Sequence, residues 1–175
     1  TLNVQLFKPL VYRKSMITIH STHTLSSTSP EAFTLHEKSW IGEKIQNRIE
    51  YMPVEALFLY DTGKAKAENK KQLSRTQLIT TLKKRDPRLL ITYTVYRDLR
   101  TKGYIVKSAL KFGGDFRVYE KGTSPETTHA RWILHAFQST EKTDWHNIAA
   151  KLRVTHATKK AFLIALTDRD HSVSY

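Results

Sequence analysis

The chain has 175 residues, 39% of them hydrophobic, and 29 Lys and Arg stand against 16 Asp and Glu for a net charge of +13. It can therefore bury the core of one medium or two small domains, and its default partner is a polyanion, with nucleic acid ahead of an acidic membrane surface because no apolar run approaches the roughly 20 residues that cross a bilayer. The absence of cysteine excludes disulfides, thiol catalysis and Cys-ligated metal centres and points to an intracellular, cytoplasmic protein, and Lys8, Arg13 and Lys14 break up the opening apolar residues where a secretory signal would run unbroken.

In chain order, Val11-Tyr12 and Met16 to Ile19 read as short strands and Ser21 to Pro30 as a polar loop. A turn at Gly42 joins two expected strands, Lys38 to Ile41 and Lys44 to Glu50. Pro53 opens a helix with Val54, Leu57 and Phe58 on one face and Gly63 as its stop. Lys64 to Lys71 reads as a charged connector. Ser74 suits the N-cap of a helix over Thr76 to Lys84, with Leu78, Ile79 and Leu82 turned inward.

The pattern resets at Arg85-Asp86-Pro87, where Asp86 can cap and Pro87 can occupy a first helical turn. This divides the chain into an N-terminal α+β domain over 1–85 and a C-terminal domain over 86–175. The helix that follows carries Leu89, Tyr93, Tyr96 and Leu99 at core-facing spacing and stops at Gly103. Strands are expected over Tyr104 to Ala109 and Phe116 to Glu120, about a Gly113-Gly114 turn, and over Ala130 to Phe137. A helix from Asp144 to Arg153 places Trp145, Ile148, Ala149 and Leu152 on one apolar stripe, before final strands at Phe162 to Leu166 and Ser172 to Tyr175. The expected fold class is α+β, two small mixed α/β domains, the second a mixed sheet flanked by helices.

Three titratable residues fall at strand ends. The period of two over residues 116–120 puts Phe116 and Val118 on one face and Arg117 and Tyr119 on the other, so Tyr119 points away from that strand's core face. His129 follows the loop Gly122 to Thr128 at the mouth of the next strand, and Lys160 precedes the apolar strand after the last helix. Such placement suits a site on a rigid scaffold. From spacing alone the plainer readings rank ahead: a half-buried strand tyrosine, a solvated histidine, one surface lysine among many. His20 and His23 fit a loop better than a metal site, and Asp115, Glu120 and Glu126 are too scattered to suggest an acidic metal cluster.

Motif context changes that ranking. Tyr96-Arg97-Asp98-Leu99-Arg100-Thr101-Lys102-Gly103-Tyr104-Ile105-Val106-Lys107, followed by Lys111-Phe112-Gly113-Gly114-Asp115-Phe116-Arg117-Val118-Tyr119, resembles the hallmark stretch of archaeal-type tRNA-splicing endonucleases. His129-Ala130 stands where that family has His and a small residue, and Arg153 to Lys160 resembles its Arg-to-Lys stretch before an apolar strand. Pro53 to Leu59 with Gly63 is similar to the family's first-domain helix. The resemblance runs from about Gly42 to the C-terminus and departs at Ala157-Thr158-Lys159-Lys160, where the family commonly has Ser-Val-Arg-Lys. Two adjacent lysines leave a choice; counting back from Phe162 and forward from Arg153 selects Lys160.

The resemblance implies a nuclease-like C-terminal domain and a catalytic subunit, since members without catalysis lose the Tyr, His and Lys set. It implies excision of introns from precursor tRNA at bulge-helix-bulge sites, without metal or cofactor. A ribose 2′-hydroxyl would attack its own 3′-phosphate, leaving 2′,3′-cyclic phosphate and 5′-hydroxyl ends. Tyr119 would be the general base, His129 the general acid and Lys160 the cation at the charged transition state. A phenol ionises near pH 10, about three units too high for a base at neutrality, so positive charge must lie beside it, for which Lys160 and Arg117 are the candidates.

Arg153 matches the family's base-stacking Arg, although a phosphate contact or a helix-end cation would explain it equally well, and Arg153 and Arg117 are the expected RNA contacts. The family forms homodimers, homotetramers or heterotetramers, and Asp168-Arg169-Asp170 could be its acidic docking loop. A homo-oligomer or an assembly with a related subunit is therefore expected. The rival readings are a non-catalytic RNA-binding subunit of the same assembly and a DNA endonuclease.

Overall fold

The computed structural model describes residues 15–19 and 25–175. The strand expected at Val11-Tyr12 and the pair His20 and His23 lie outside them. β1 (Ser15–Ile19) and β2 (Leu25–Ser27) pair antiparallel. The Ser29 hydroxyl then accepts the Ala32 N–H at 3.3 Å and Pro30 starts α1 (Pro30–Ser39). β2 replaces part of the loop expected over Ser21 to Pro30, and α1 overturns the strand expected over Lys38 to Ile41. Its capping signal is sound, but Ala32 alone is fully buried, so the apolar period is too weak to read.

Beyond Trp40, which takes a left-handed φ of 58°, the strand expected over Lys44 to Glu50 is a hairpin instead. β3 (Glu43–Ile45) and β4 (Arg48–Glu50) turn through Gln46-Asn47, Gln46 having a φ of 54°. In α2 (Pro53–Asp61), Glu55 reaches back to accept the Met52 N–H and also the Gly42 N–H, each at 2.9 Å.

The supposed connector Lys64 to Lys71 is β5 (Ala65–Asn69) and β6 (Lys71–Gln72). Ala65 and Ala67 are buried while Lys66 is exposed, a true strand alternation concealed by alanine's poor strand propensity. β5 runs parallel to β1 in a six-stranded sheet ordered β3-β4-β2-β1-β5-β6. The Ser74 hydroxyl caps α3 (Arg75–Lys83), which buries Leu78 and Leu82.

The Asp86 carboxylate accepts the Arg88 N–H at 2.9 Å ahead of α4 (Leu89–Thr101), and Leu89, Tyr93, Tyr96 and Leu99 are buried as the spacing predicts. There follow β7 (Ile105–Ser108), a 3₁₀ turn at Leu110–Phe112, β8 (Phe116–Tyr119), β9 (Trp132–Gln138), α5 (Trp145–Ala157), β10 (Ala161–Thr167) and β11 (Val173–Ser174). The sheet order is β11-β10-β9-β8-β7, with β9 and β10 parallel and joined through α5. The fold is α+β, with the second sheet mixed.

One face of this sheet, through Phe116, Val118, Leu134, Ala136 and Ala165, shares a core with α4 and α2. Tyr96 joins them, its ring 5.6 Å from Phe58 and 5.9 Å from Phe116. Two cations of the second half also grip the first: Arg100 donates to the Ser39 carbonyl at 2.7 Å, and Lys107 donates to the Gly42 carbonyl.

Ile133, His135 and Tyr119 are buried outside that core, on the opposite face, and α5 packs on β10. α5 meets it through Thr155, and the expected apolar stripe turns elsewhere, leaving Trp145 84% and Leu152 44% exposed. Periodicity shows which residues share a face, not what covers it. Gly114 lets β8 and β9 close here, since a Cβ would come within 2.5 Å of the Ile133 side chain and 3.4 Å of His135 Nε2.

His135 is 3% exposed, its ring lies 4.9 Å from that of Phe162, and its Nε2 has no hydrogen-bond partner among the described residues. Burial, aided by Lys151, pushes its pKa down to about 4. The unfolded chain takes up this proton near pH 6.5 and the folded chain resists until about pH 4, so stability is lost as pH falls through that window. The loss between pH 7 and 5 should be about 2 kcal/mol. Urea unfolding of the wild type and of His135→Asn at both pH values checks this: the variant should lose less, and equal losses would contradict it.

Candidate active site

The Arg131 backbone draws three chain segments together at one end of the second sheet. Its N–H donates to the Val118 carbonyl at 3.0 Å, and its carbonyl accepts the Ala161 N–H at 2.9 Å. Tyr119 follows Val118, Lys160 precedes Ala161, and His129 stands two residues before Arg131. All three sequence candidates thus reach one edge of a rigid sheet, Tyr119 at the exit of β8 and the other two at the entrances of β9 and β10.

Each is held differently. Tyr119 lies on the face to which the strand period assigns it, away from the shared core, and is nevertheless buried, only 4% exposed. Its hydroxyl has no hydrogen-bond partner among the described residues, yet it is not sealed from solvent. His129 is exposed at the end of a braced loop. The Ser124 carbonyl accepts the Thr128 N–H at 2.9 Å and the Thr128 hydroxyl at 2.6 Å, and buried Ala130 anchors the other side.

The end of α5 separates the two lysines. Lys159 takes a left-handed φ of 55° and is exposed, while the Lys160 N–H closes back onto the Thr155 carbonyl at 3.4 Å. Lys160 is half-buried, and its ammonium donates to the Thr158 carbonyl at 3.1 Å. The turn therefore directs Lys160, not Lys159, toward the sheet.

Arg117 lies on the same strand face as Tyr119, and its Nε donates to the Ser108 carbonyl at 2.8 Å. Arg153 is exposed on α5. Among the described residues Arg117, His129, Arg153 and Lys160 make no ion pair, whereas Arg131 pairs with Glu120, the acidic residue next to Tyr119. The site therefore offers uncompensated positive charge and hydrogen-bond donors, the complement of a phosphate.

Among the described residues no three His, Asp or Glu side chains gather as metal ligands would, and no helix is long and apolar enough to cross a membrane. The sequence reading assigned no part to Phe112, whose ring lies beneath two of these cations. The signal available for it was its place inside the hallmark stretch.

Fold and site together define a basic α+β protein with an anion-facing site built from strand ends. Residues 89–175 match the family described as tRNA intron endonuclease, catalytic C-terminal domain, and residues 18–79 match tRNA intron endonuclease, N-terminal domain. The chain is 36% identical over 142 residues to the tRNA-splicing endonuclease of Thermococcus onnurineus, covering 81% of each chain. It is 33% identical over 153 residues to that of Methanothermobacter thermautotrophicus, covering 87% of this chain and 88% of the relative. With the tRNA-splicing endonuclease of Nanoarchaeum equitans it shares 37% over 138 residues, 72% of this chain and 90% of the other. The chain belongs to the tRNA-splicing endonuclease family.

Proposed function

We propose that this chain is a catalytic subunit that excises introns from precursor tRNA at bulge-helix-bulge sites, leaving 2′,3′-cyclic phosphate and 5′-hydroxyl ends. The observation that carries the reading is the convergence of Tyr119, His129 and Lys160 about the Arg131 backbone, with no carboxylate paired to His129 or Lys160 among the described residues. Residues 1–85 form the N-terminal domain in this proposal and residues 86–175 the catalytic one.

Tyr119 takes the proton from the ribose 2′-hydroxyl as that oxygen attacks the adjacent phosphorus. Lys160 stabilises the negative charge on the phosphoryl oxygens. His129, exposed at the end of its loop, delivers a proton to the departing 5′-oxygen. The buried Tyr119 ring suits a base whose direction must be fixed, and Arg117 on the same strand face adds positive charge on that side. Arg153 stacks on or pairs with the RNA beside the cut. No step requires a metal or cofactor.

The expected outcome with precursor tRNA in excess chelator is full cleavage with cyclic phosphate at the upstream end. Linear 3′-phosphate from the earliest times, or activity abolished by the chelator, would contradict it. RNA binding without product, even beside a related subunit, would instead mark a structural subunit.

Two cuts per intron call for at least two active sites, so the protein works as a homodimer, a homotetramer or a heterotetramer with a related chain. The exposed Trp145 and Leu152 on α5, with Leu166 45% exposed on β10, support self-association through this face. The acidic loop Asp168-Arg169-Asp170 supplies a polar docking element. Light scattering on the lone chain measures the stoichiometry, and a monomer that cuts both junctions would refute the assembly.

A further inference from the structure

Phe112 lies on the 3₁₀ turn between β7 and β8, half-buried, with no place in the proton transfers. The turn fixes it: its N–H donates to the Ala109 carbonyl at 2.7 Å, and Gly113 closes the turn with a φ of 68°. The Lys160 ammonium stands 5.4 Å from the centre of the Phe112 ring, and the Arg117 guanidinium stands 5.6 Å from it. Both distances fall within the range where the negative face of an aromatic ring attracts a cation.

We propose that Phe112 is a positioning residue for the cleavage reaction, an aromatic seat that holds the Lys160 ammonium against the reacting phosphate. This rests on the reading of Lys160 as the transition-state cation. A lysine side chain has four rotatable bonds, and an ammonium free to roam loses much of its value at a developing charge. Lys160 has one hydrogen bond, to the Thr158 carbonyl, and no ion pair among the described residues. The ring supplies the second restraint. Because it is neutral, it orients the ammonium without cancelling its charge as a carboxylate would, and it leaves N–H donors for phosphate oxygens.

Arg117 completes the arrangement from the other strand. Its Nε is tied to the Ser108 carbonyl, so its guanidinium is a fixed neighbour of the ring. The motif Lys111-Phe112-Gly113-Gly114 thus gains a chemical role: Gly113 sets the turn that aims the ring, and Gly114 lets β8 approach β9.

The test is single-turnover cleavage of precursor tRNA by the assembled protein at saturating protein, with position 112 changed. A trifluorinated phenylalanine keeps the ring's shape and removes its negative face, Phe112→Leu removes the ring, and Phe112→Trp keeps an aromatic face. The first two should slow the step roughly three- to thirtyfold, with precursor affinity and thermal midpoint unchanged, while the Trp variant should stay within about twofold of wild type. In a Lys160→Ala background the same changes should leave the residual rate unaltered.

Full speed with the fluorinated ring would overturn the proposal, as would equal losses in the Leu and Trp variants or a loss that persists without Lys160. If Lys160→Ala itself cleaves at the wild-type rate, the catalytic reading of Lys160 falls and this inference falls with it. An inactive Lys160→Ala beside a fully active fluorinated protein overturns the inference alone.

Discussion

Replacing His129 with Ala is expected to slow intron excision by about 10²–10⁴-fold while leaving precursor affinity within a factor of about 2, because in the proposed mechanism it removes the general acid and nothing that holds the fold. His129 is exposed, and its loop is braced by Ser124 rather than by the imidazole. Loss of the ring should therefore leave the thermal midpoint and the entrance to β9 intact. Single-turnover rates with saturating protein, measured beside equilibrium binding, separate the two effects. A rate within about tenfold of wild type would remove His129 from the reaction, and a parallel collapse of affinity would make it a binding residue.

The second large effect is on stability. Glu55 is 1% exposed and accepts hydrogen bonds from the Gly42 and Met52 N–H groups, tying the start of α2 to the turn after α1. The Lys107 ammonium donates to the carbonyl of the same Gly42, so a carboxylate from the first half and a cation from the second hold the two ends of one residue. Burial pushes the Glu55 carboxyl up, opposed by Lys107 and the two backbone N–H groups, and burial pushes the Lys107 ammonium down, opposed by Glu55.

Glu55→Ala would strand the Gly42 and Met52 N–H donors and remove the carboxylate that most favours the charged Lys107. The expected cost is about 3–5 kcal/mol in urea unfolding. Glu55→Gln, which keeps an acceptor, should cost less. An Ala variant within about 1 kcal/mol of wild type would show that water replaces the carboxylate and that the clamp is not structural.

What could be read from the sequence divides along physical lines. Ser74, Asp86, Pro53 and Gly103 mark element ends through local backbone chemistry, and the helices they bound lie close to where expected. α1 and β5 are illegible because α1 fully buries only Ala32, with Phe33 and Leu35 half-buried beside it and not at helical spacing from each other, and β5 buries a pair of alanines. The strand period assigns Tyr119 to the face away from the shared core, but it carries no information on how deeply that second face is buried. Conversely, the stripe Trp145, Ile148, Leu152 looked inward because any apolar stripe does, and within one chain it is partly uncovered.

Register favours Lys160 over Lys159 as the proposed cation, and the two differ in place: Lys159 is exposed and Lys160 half-buried. A left-handed Lys159 ends α5, so only the next side chain points back to the sheet. Phe112 stayed silent because an aromatic residue beside two glycines reads as turn packing until the cations above it are placed.

The central claim is that the RNA's own 2′-hydroxyl is the nucleophile and that Tyr119, His129 and Lys160 move its proton and stabilise its charge. The most direct measurement places a single 2′-deoxyribose on the upstream side of the scissile phosphate in an otherwise unchanged precursor. The account predicts no cleavage at that junction, binding like that of the unmodified RNA, and normal cleavage at the other junction. Cutting at the modified junction at the unmodified rate would contradict it and require water or another group as the nucleophile.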